Sequence, residues 1–128
     1  MTKVKVQYEY TMHCLSEILY EYMASAEGLS EWFADEVDER GDDFYFTWEG
    51  GGEERATLIR YKPESFVRFR WEEDEGTKYF FELVITIDEI TDDLSLNITD
   101  FCEEDDREEN KLYWENLIEN LRLKLGAS

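Results

Sequence analysis

Residues 3–12 alternate strictly between apolar and polar positions. Val4, Val6, Tyr8, Tyr10 and Met12 fall on one side, and Lys3, Lys5, Gln7, Glu9 and Thr11 on the other. A period of two sends successive side chains to opposite faces, so this segment predicts a half-buried strand. The pattern then changes. Ser16 stands where an N-cap would, with Leu15 and Tyr20 placed as a hydrophobic staple, which predicts a short helix over 17–24. Ser25 can cap a second short helix, on which helical spacing puts Leu29, Trp32 and Phe33 on one face.

From 36 to 101 the chain reads as a run of antiparallel strands. Turn signals recur at Arg40-Gly41-Asp42, Gly50-Gly51-Gly52, Lys62-Pro63-Glu64, Glu75-Gly76 and Thr91-Asp92-Asp93. Between them lie strand-like segments at 44–48, 53–61, 65–71, 78–87 and 94–99, with 36–39 as a further short strand. Register follows from the turns. A hairpin centred on the glycines sets Phe46 opposite Ala56 and Phe44 opposite Leu58. The next sets Leu58 opposite Phe69 and Ala56 opposite Trp71. A turn near Glu75 sets Phe69 opposite Phe81 and Val67 opposite Leu83, and one near Thr91 sets Ile85 opposite Leu96 and Leu83 opposite Ile98. Each hairpin then places its apolar set on one common face, which a one-residue slip would destroy.

The last segment predicts a long helix over roughly 105–125. Its first turns are acidic, from Glu103 to Glu109, and its last carry Arg122 and Lys124, matching the helix dipole. Gly126 is a natural stop. Trp114, Leu117, Ile118, Leu121 and Leu125 form an apolar stripe at three–four spacing. The order is strand, two short helices, about six strands, long helix. A sheet with one apolar face and one helix to cover it is an α+β, two-layer architecture, with 1–128 as a single domain.

Charge narrows the partners. Thirteen Lys and Arg against 33 Asp and Glu leave a net charge of −20, while 42% of the residues are hydrophobic and 16% aromatic. A disordered acidic tail would be poor in aromatics. Nucleic acid and anionic membrane surfaces are expected to be repelled. The N-terminus has no continuous apolar run of a signal peptide, and no segment approaches the ~20 apolar residues needed to span a bilayer. A cytoplasmic location is expected. There the two cysteines, Cys14 and Cys102, would stay reduced. In the expected topology they lie at opposite ends of neighbouring strands, too far apart to pair.

Candidate chemistry is sparse. His13 beside Cys14 supplies too few ligands for zinc, and the acids of 35–43 do not match a calcium loop, so no metal or cofactor is expected. The triple glycine lacks the lysine of a phosphate loop and joins two strands. No serine lies in a nucleophile setting and His13 has no acid partner by spacing, so no catalytic residues are assigned. A buried carboxylate with a raised pKa near Tyr8 or Tyr79 would change that reading. Arg68 and Arg70 point outward, with Arg68 opposite Glu82 as a cross-strand ion pair. The outer face also carries Tyr45, Ile59, Tyr61, Phe80 and Val84, which, if clustered, form an apolar surface for homodimerisation. The inward aromatics admit two readings: the wall of a pocket, or a core filled by its own large side chains.

Several local motifs resemble the START-like superfamily, which includes the birch pollen allergen fold, polyketide cyclase-like proteins and activators of the heat-shock chaperone ATPase. They are Gly28-Leu29-Ser30-Glu31-Trp32-Phe33-Ala34-Asp35, then Val67-Arg68-Phe69-Arg70-Trp71, then Ile98-Thr99-Asp100-Phe101 followed by acids and by Trp114, Ile118 and Leu121. The resemblance covers nearly the whole chain. It implies a helix-grip fold: a curved antiparallel sheet of six to seven strands wrapped around the C-terminal helix. It also implies a cavity between them for a lipid or other hydrophobic small molecule. The positions facing that space would be Tyr8, Tyr10, Phe46, Trp48, Phe69 and Trp71, with Tyr79, Phe81, Leu83, Trp114, Ile118 and Leu121. Two alternatives accompany the ligand-binding expectation: an acidic protein-interaction module like the chaperone activators, with a filled core, and a cyclase-like enzyme.

Overall fold

A computed structural model describes residues 2–126; the ends of the expected 1–128 domain lie outside this range. Strand β1 (Val4–Met12) is followed by helices α1 (Ser16–Ala24) and α2 (Ala26–Trp32). Six strands come next: β2 (Glu36–Arg40), β3 (Asp43–Trp48), β4 (Gly52–Lys62), β5 (Phe66–Trp71), β6 (Phe81–Ile87) and β7 (Leu94–Cys102). Helix α3 (Arg107–Leu125) closes the chain, entered through a short 3-10 turn at Glu104–Asp106. The sheet is antiparallel throughout, in the order β1-β7-β6-β5-β4-β3-β2. No helix among the described residues is long and apolar enough to cross a membrane. The α+β helix-grip architecture and the paired short helices are as the sequence predicts.

The helix ends show both agreement and correction. Ser25 caps α2, its Oγ accepting from the N–H of Gly28 at 2.9 Å. Ser16 does not cap α1. It is the first helical residue, Leu15 holds the cap position without a side-chain hydrogen bond, and Leu15 is 61% exposed, so no staple forms. Gly126 ends α3 at φ +70°, the left-handed conformation that glycine adopts without strain. Gly28 answers a different need. A Cβ there would lie 2.6 Å from the Tyr22 Cα and closer still to the Glu21 carbonyl oxygen, so only glycine lets α2 approach α1 this closely. Trp32 Nε1 donates to the Tyr22 carbonyl at 2.8 Å across the same junction.

Three of the four hairpins have the predicted register. The glycine hairpin does not. Phe44 faces Ala56 and Phe46 faces Glu54, because the turn closes earlier, with Trp48 opposite Gly52 and Gly51 N–H donating to the Trp48 carbonyl at 2.9 Å. The displacement preserves the pleat, so the aromatic face stays intact. A bulge between Leu58 and Arg60 makes a second departure. Beyond it Tyr61 pairs with Val67 and so shares the concave side rather than the outer face. Arg68 and Glu82 are paired as expected, at 2.8 Å. The outer rings are capped by arginines: Arg68 lies 4.0 Å over the Phe80 ring and Arg40 5.0 Å over Tyr45. The register sets Cys102 opposite Val4, with Cys14 beyond the other end of β1, and both thiols are free.

Candidate functional site

The space between sheet and helix α3 is occupied by aromatic rings. Phe33, delivered by the end of α2, sits at its centre with 1% exposure. Its ring lies 5.2 Å from Phe46, 5.5 Å from Phe81, 5.9 Å from Trp114, 6.2 Å from Trp48 and 6.4 Å from Trp71. Phe81 continues the stack to Phe69 at 5.2 Å. These separations are those of rings in mutual contact. Sequence reasoning put Phe33 on the buried face of α2 but did not place it among the sheet aromatics. A helix residue reaching across to the sheet cannot be read from strand register.

The expected pocket positions therefore divide. Phe46, Phe69, Phe81, Leu83, Trp114, Ile118 and Leu121 are buried in one core cluster, with Tyr8, Tyr10, Trp48 and Trp71 partly buried against it. Tyr79 is elsewhere. It packs on Phe101 at 5.3 Å, and its hydroxyl accepts from the Lys3 backbone N–H at 3.0 Å. Lys3 in turn reaches the buried Asp74 at 3.1 Å.

A carboxylate lies close to Tyr8, on the inward side of β7, where the register sets Asp100 opposite Val6. Burial raises its pKa, against the lowering effect of hydrogen bonds from Asn110, Trp114 and the Phe101 backbone. Asn110 Nδ2 and Trp114 Nε1 both donate to Oδ2 at 2.9 Å, and Phe101 N–H donates to Oδ1 at 2.8 Å. Tyr8 donates to Asn110 Oδ1 at 2.7 Å, completing a network that ties β1 and β7 to α3. Asp100 does not line the cleft between β1 and α3 or the one walled by Trp48 and Trp71. Asp100 is thus a carboxylate near Tyr8 whose pKa is raised by burial, the feature named above as pointing to acid–base chemistry, and its hydrogen bonds from Asn110 and Trp114 tie it to the helix. The sequence signal was available: Asp100 continues the inward series Leu94, Leu96, Ile98.

The aromatic cluster reaches the surface at one end. Trp48 at the end of β3, Trp71 at the end of β5 and Tyr113 on α3 wall a cleft of about 430 Å³, with Gly51, Glu54 and Glu73 at its edges. Trp48 and Trp71 lie 6.2 Å apart with their planes inclined at 51°, so they do not close on each other as a stack. Trp48 Nε1 donates to the Phe33 carbonyl at 3.0 Å, which fixes its ring. Tyr113 stands edge-on to Trp114 at 5.6 Å. Desolvation among its neighbours raises its pKa, as do the carboxylates of Asp100 and Glu54, although the residue as a whole is exposed. A second cleft of about 460 Å³ opens between β1 and α3, where Lys5, Gln7, Arg107, Glu108 and Lys111 surround Val6 and Tyr8. Val6 is buried and Tyr8 half-buried in its wall, while Gln7 and the charged residues around them are exposed.

A START-like superfamily domain model matches residues 1–127. The chain belongs to the START-like superfamily. No curated protein matches it. Among solved structures it is similar to BfR322 from Bacteroides fragilis, at 31% identity and TM-score 0.67, over 97% of this chain and 92% of that one. The Aha1 dimer from Colwellia psychrerythraea shares the fold at TM-score 0.79 and 14% identity, over 95% and 96% of the two chains. DynU16, from the dynemicin biosynthetic locus, does so at TM-score 0.77 and 15% identity, over 96% of this chain and 48% of that one. The START-like chain thus spans about half of DynU16. The last two likenesses concern the fold alone.

Proposed function

We propose that this START-like domain binds a small molecule with an apolar or aromatic body, in the outer cleft walled by Trp48, Trp71 and Tyr113 rather than in the interior. One observation carries this reading: the aromatic residues of the sheet fall into two groups. The interior rings contact one another around Phe33, whereas Trp48 and Trp71 keep a flank toward a cleft of about 430 Å³. That volume lies within the ~300–1,000 Å³ usual for ligand sites, and the lining has the apolar walls and few polar groups such sites need. This reading puts the site at the mouth of the sheet–helix space. Of the expected residues, Trp48 and Trp71 belong to it.

The test is a panel of small aromatic amphiphiles (neutral, cationic and anionic) titrated into the protein and followed by NMR at the tryptophan indole N–H groups. Saturable shifts at Trp48 and Trp71 with at least one probe, lost in Trp71→Ala, are the expected result. A panel in which no probe shifts these two groups contradicts the reading.

A filled interior together with a net charge of −20 favours a second reading, an acidic protein-interaction module. Such a module would be steered to a basic surface on its partner, with an association rate that falls steeply with salt. A partner whose association rate does not change with salt would count against it.

A further inference from the structure

We propose that the cleft of Trp48, Trp71 and Tyr113 recognises an alkylated ammonium group, so that the small molecule it takes is an organic cation. This rests on the reading of the cleft as a binding site and adds the chemistry of the ligand's head. The walls come first. Two indoles and a phenol from three different elements line one cleft. Aromatic faces carry negative potential and attract a cation lying within about 6 Å of the ring, tryptophan most strongly. The walls are held before any ligand arrives. Trp48 is tied to the Phe33 carbonyl, and Trp71 packs on Phe81 at 5.2 Å and on Phe46 at 5.5 Å.

The rim of the cleft is acidic. Glu54 and Glu73 line the cleft and no Lys or Arg does. Cations were within reach: Arg55, next in sequence to Glu54, engages Glu75 at 2.6 Å, Glu72 at 3.3 Å and Asp43 at 3.8 Å. It pairs opposite Tyr45 and lines a neighbouring cleft with Glu54, Glu73 and Trp71, its guanidinium committed to those three other acids. Among the described residues Glu54 and Glu73 have no salt-bridge partner. A bare metal ion does not fit this place. No group of three or more His, Cys, Asp or Glu gathers among the described residues, and aromatic faces are poor metal ligands. A soft, weakly hydrated ammonium fits both the walls and the rim. The net charge of −20 would draw it in from a distance.

The experiment compares benzyltrimethylammonium with its neutral isostere neopentylbenzene, by indole NMR titration of the intact chain at low salt. The cation is expected to bind at least about tenfold more tightly. The double variant Glu54→Gln/Glu73→Gln should weaken the cation by about tenfold and leave the neutral isostere unchanged. Glu39→Gln/Glu89→Gln removes the same charge from distant exposed sites and should leave both probes within about twofold. Equal or tighter binding of neopentylbenzene overturns the cation proposal while the cleft remains a ligand site. Equal loss in the two double variants overturns it as well, because the attraction is then only that of the net charge. If no probe of any charge moves Trp48 and Trp71, the ligand-site reading itself falls.

Discussion

Phe46 and Glu54 are cross-strand partners in the β3–β4 hairpin, so a core phenyl ring and a carboxylate point to the same side of the sheet. The ring is fully buried, whereas the carboxylate directly across from it stays exposed at the lip of the aromatic cleft. The earlier closure of the glycine turn creates this pairing. Because Glu54 is exposed and unpaired, Glu54→Gln should change unfolding stability by no more than ~0.5 kcal/mol in urea denaturation. A loss above ~1 kcal/mol would show that the carboxylate serves the fold rather than the cleft.

Phe33 closes the interior. Phe33→Ala should cost ~3–5 kcal/mol by urea denaturation, since it removes a ring that touches Phe46, Phe81 and Trp114 and leaves a void. The variant, if folded, should take up benzene or xenon where the parent does not. A cost below ~1 kcal/mol would mean that the space was never filled.

Gly28→Ala reverses the usual helix rule. In an ordinary helix interior the change stabilises by about 1 kcal/mol. Here the methyl group would meet the backbone of Glu21 and Tyr22, so thermal unfolding should reveal a loss of ~1–3 kcal/mol. A more stable variant would refute the close α1–α2 approach.

Asp100 gives a pH signature. Its pKa is raised in the folded protein by burial, so the folded state binds this proton more tightly than the unfolded state. Its contribution to stability is fully present below the unfolded carboxylate value, near 4, and is lost as pH rises through the folded value. Parent and Asp100→Asn should therefore converge or cross as pH changes, the parent gaining relative to the variant on acidification from neutrality. Paired urea denaturations across this range test it, and a difference that does not vary with pH contradicts it. Asp100→Ala, which leaves the buried Trp114 N–H without its acceptor, should cost ~1–3 kcal/mol at neutral pH.

Much of this molecule is legible in its alternation. The strict period of two in β1 and the shared parity of Ala56, Leu58, Phe69, Phe81, Leu83, Leu96 and Ile98 specify which face is buried, because any slip by one residue would expose it. The glycine hairpin was less determined. A turn with several glycines accepts more than one closure of the same parity, so Phe46 could face Ala56 or Glu54 without exposing the core. The bulge after Leu58 left no signal in the pattern, and Tyr61 changed sides with it. Glu54 and Asp100 were within reach of parity alone, each a carboxylate at an inward position. Whether the interior is open or filled depended on Phe33, and a helix side chain's placement against a sheet is set by packing that one sequence does not display.

The most direct test of the account uses the four tryptophans, whose indole N–H signals report separate places: Trp114 in the interior, Trp32 at the α1–α2 junction, Trp48 and Trp71 at the cleft. With each signal assigned by single Trp→Phe substitution, benzyltrimethylammonium is titrated to saturation. Trp48 and Trp71 should shift together along one binding curve while Trp114 and Trp32 hold their positions. Movement of Trp114 with Trp48 and Trp71 unmoved would place the ligand in the interior and contradict the cleft site.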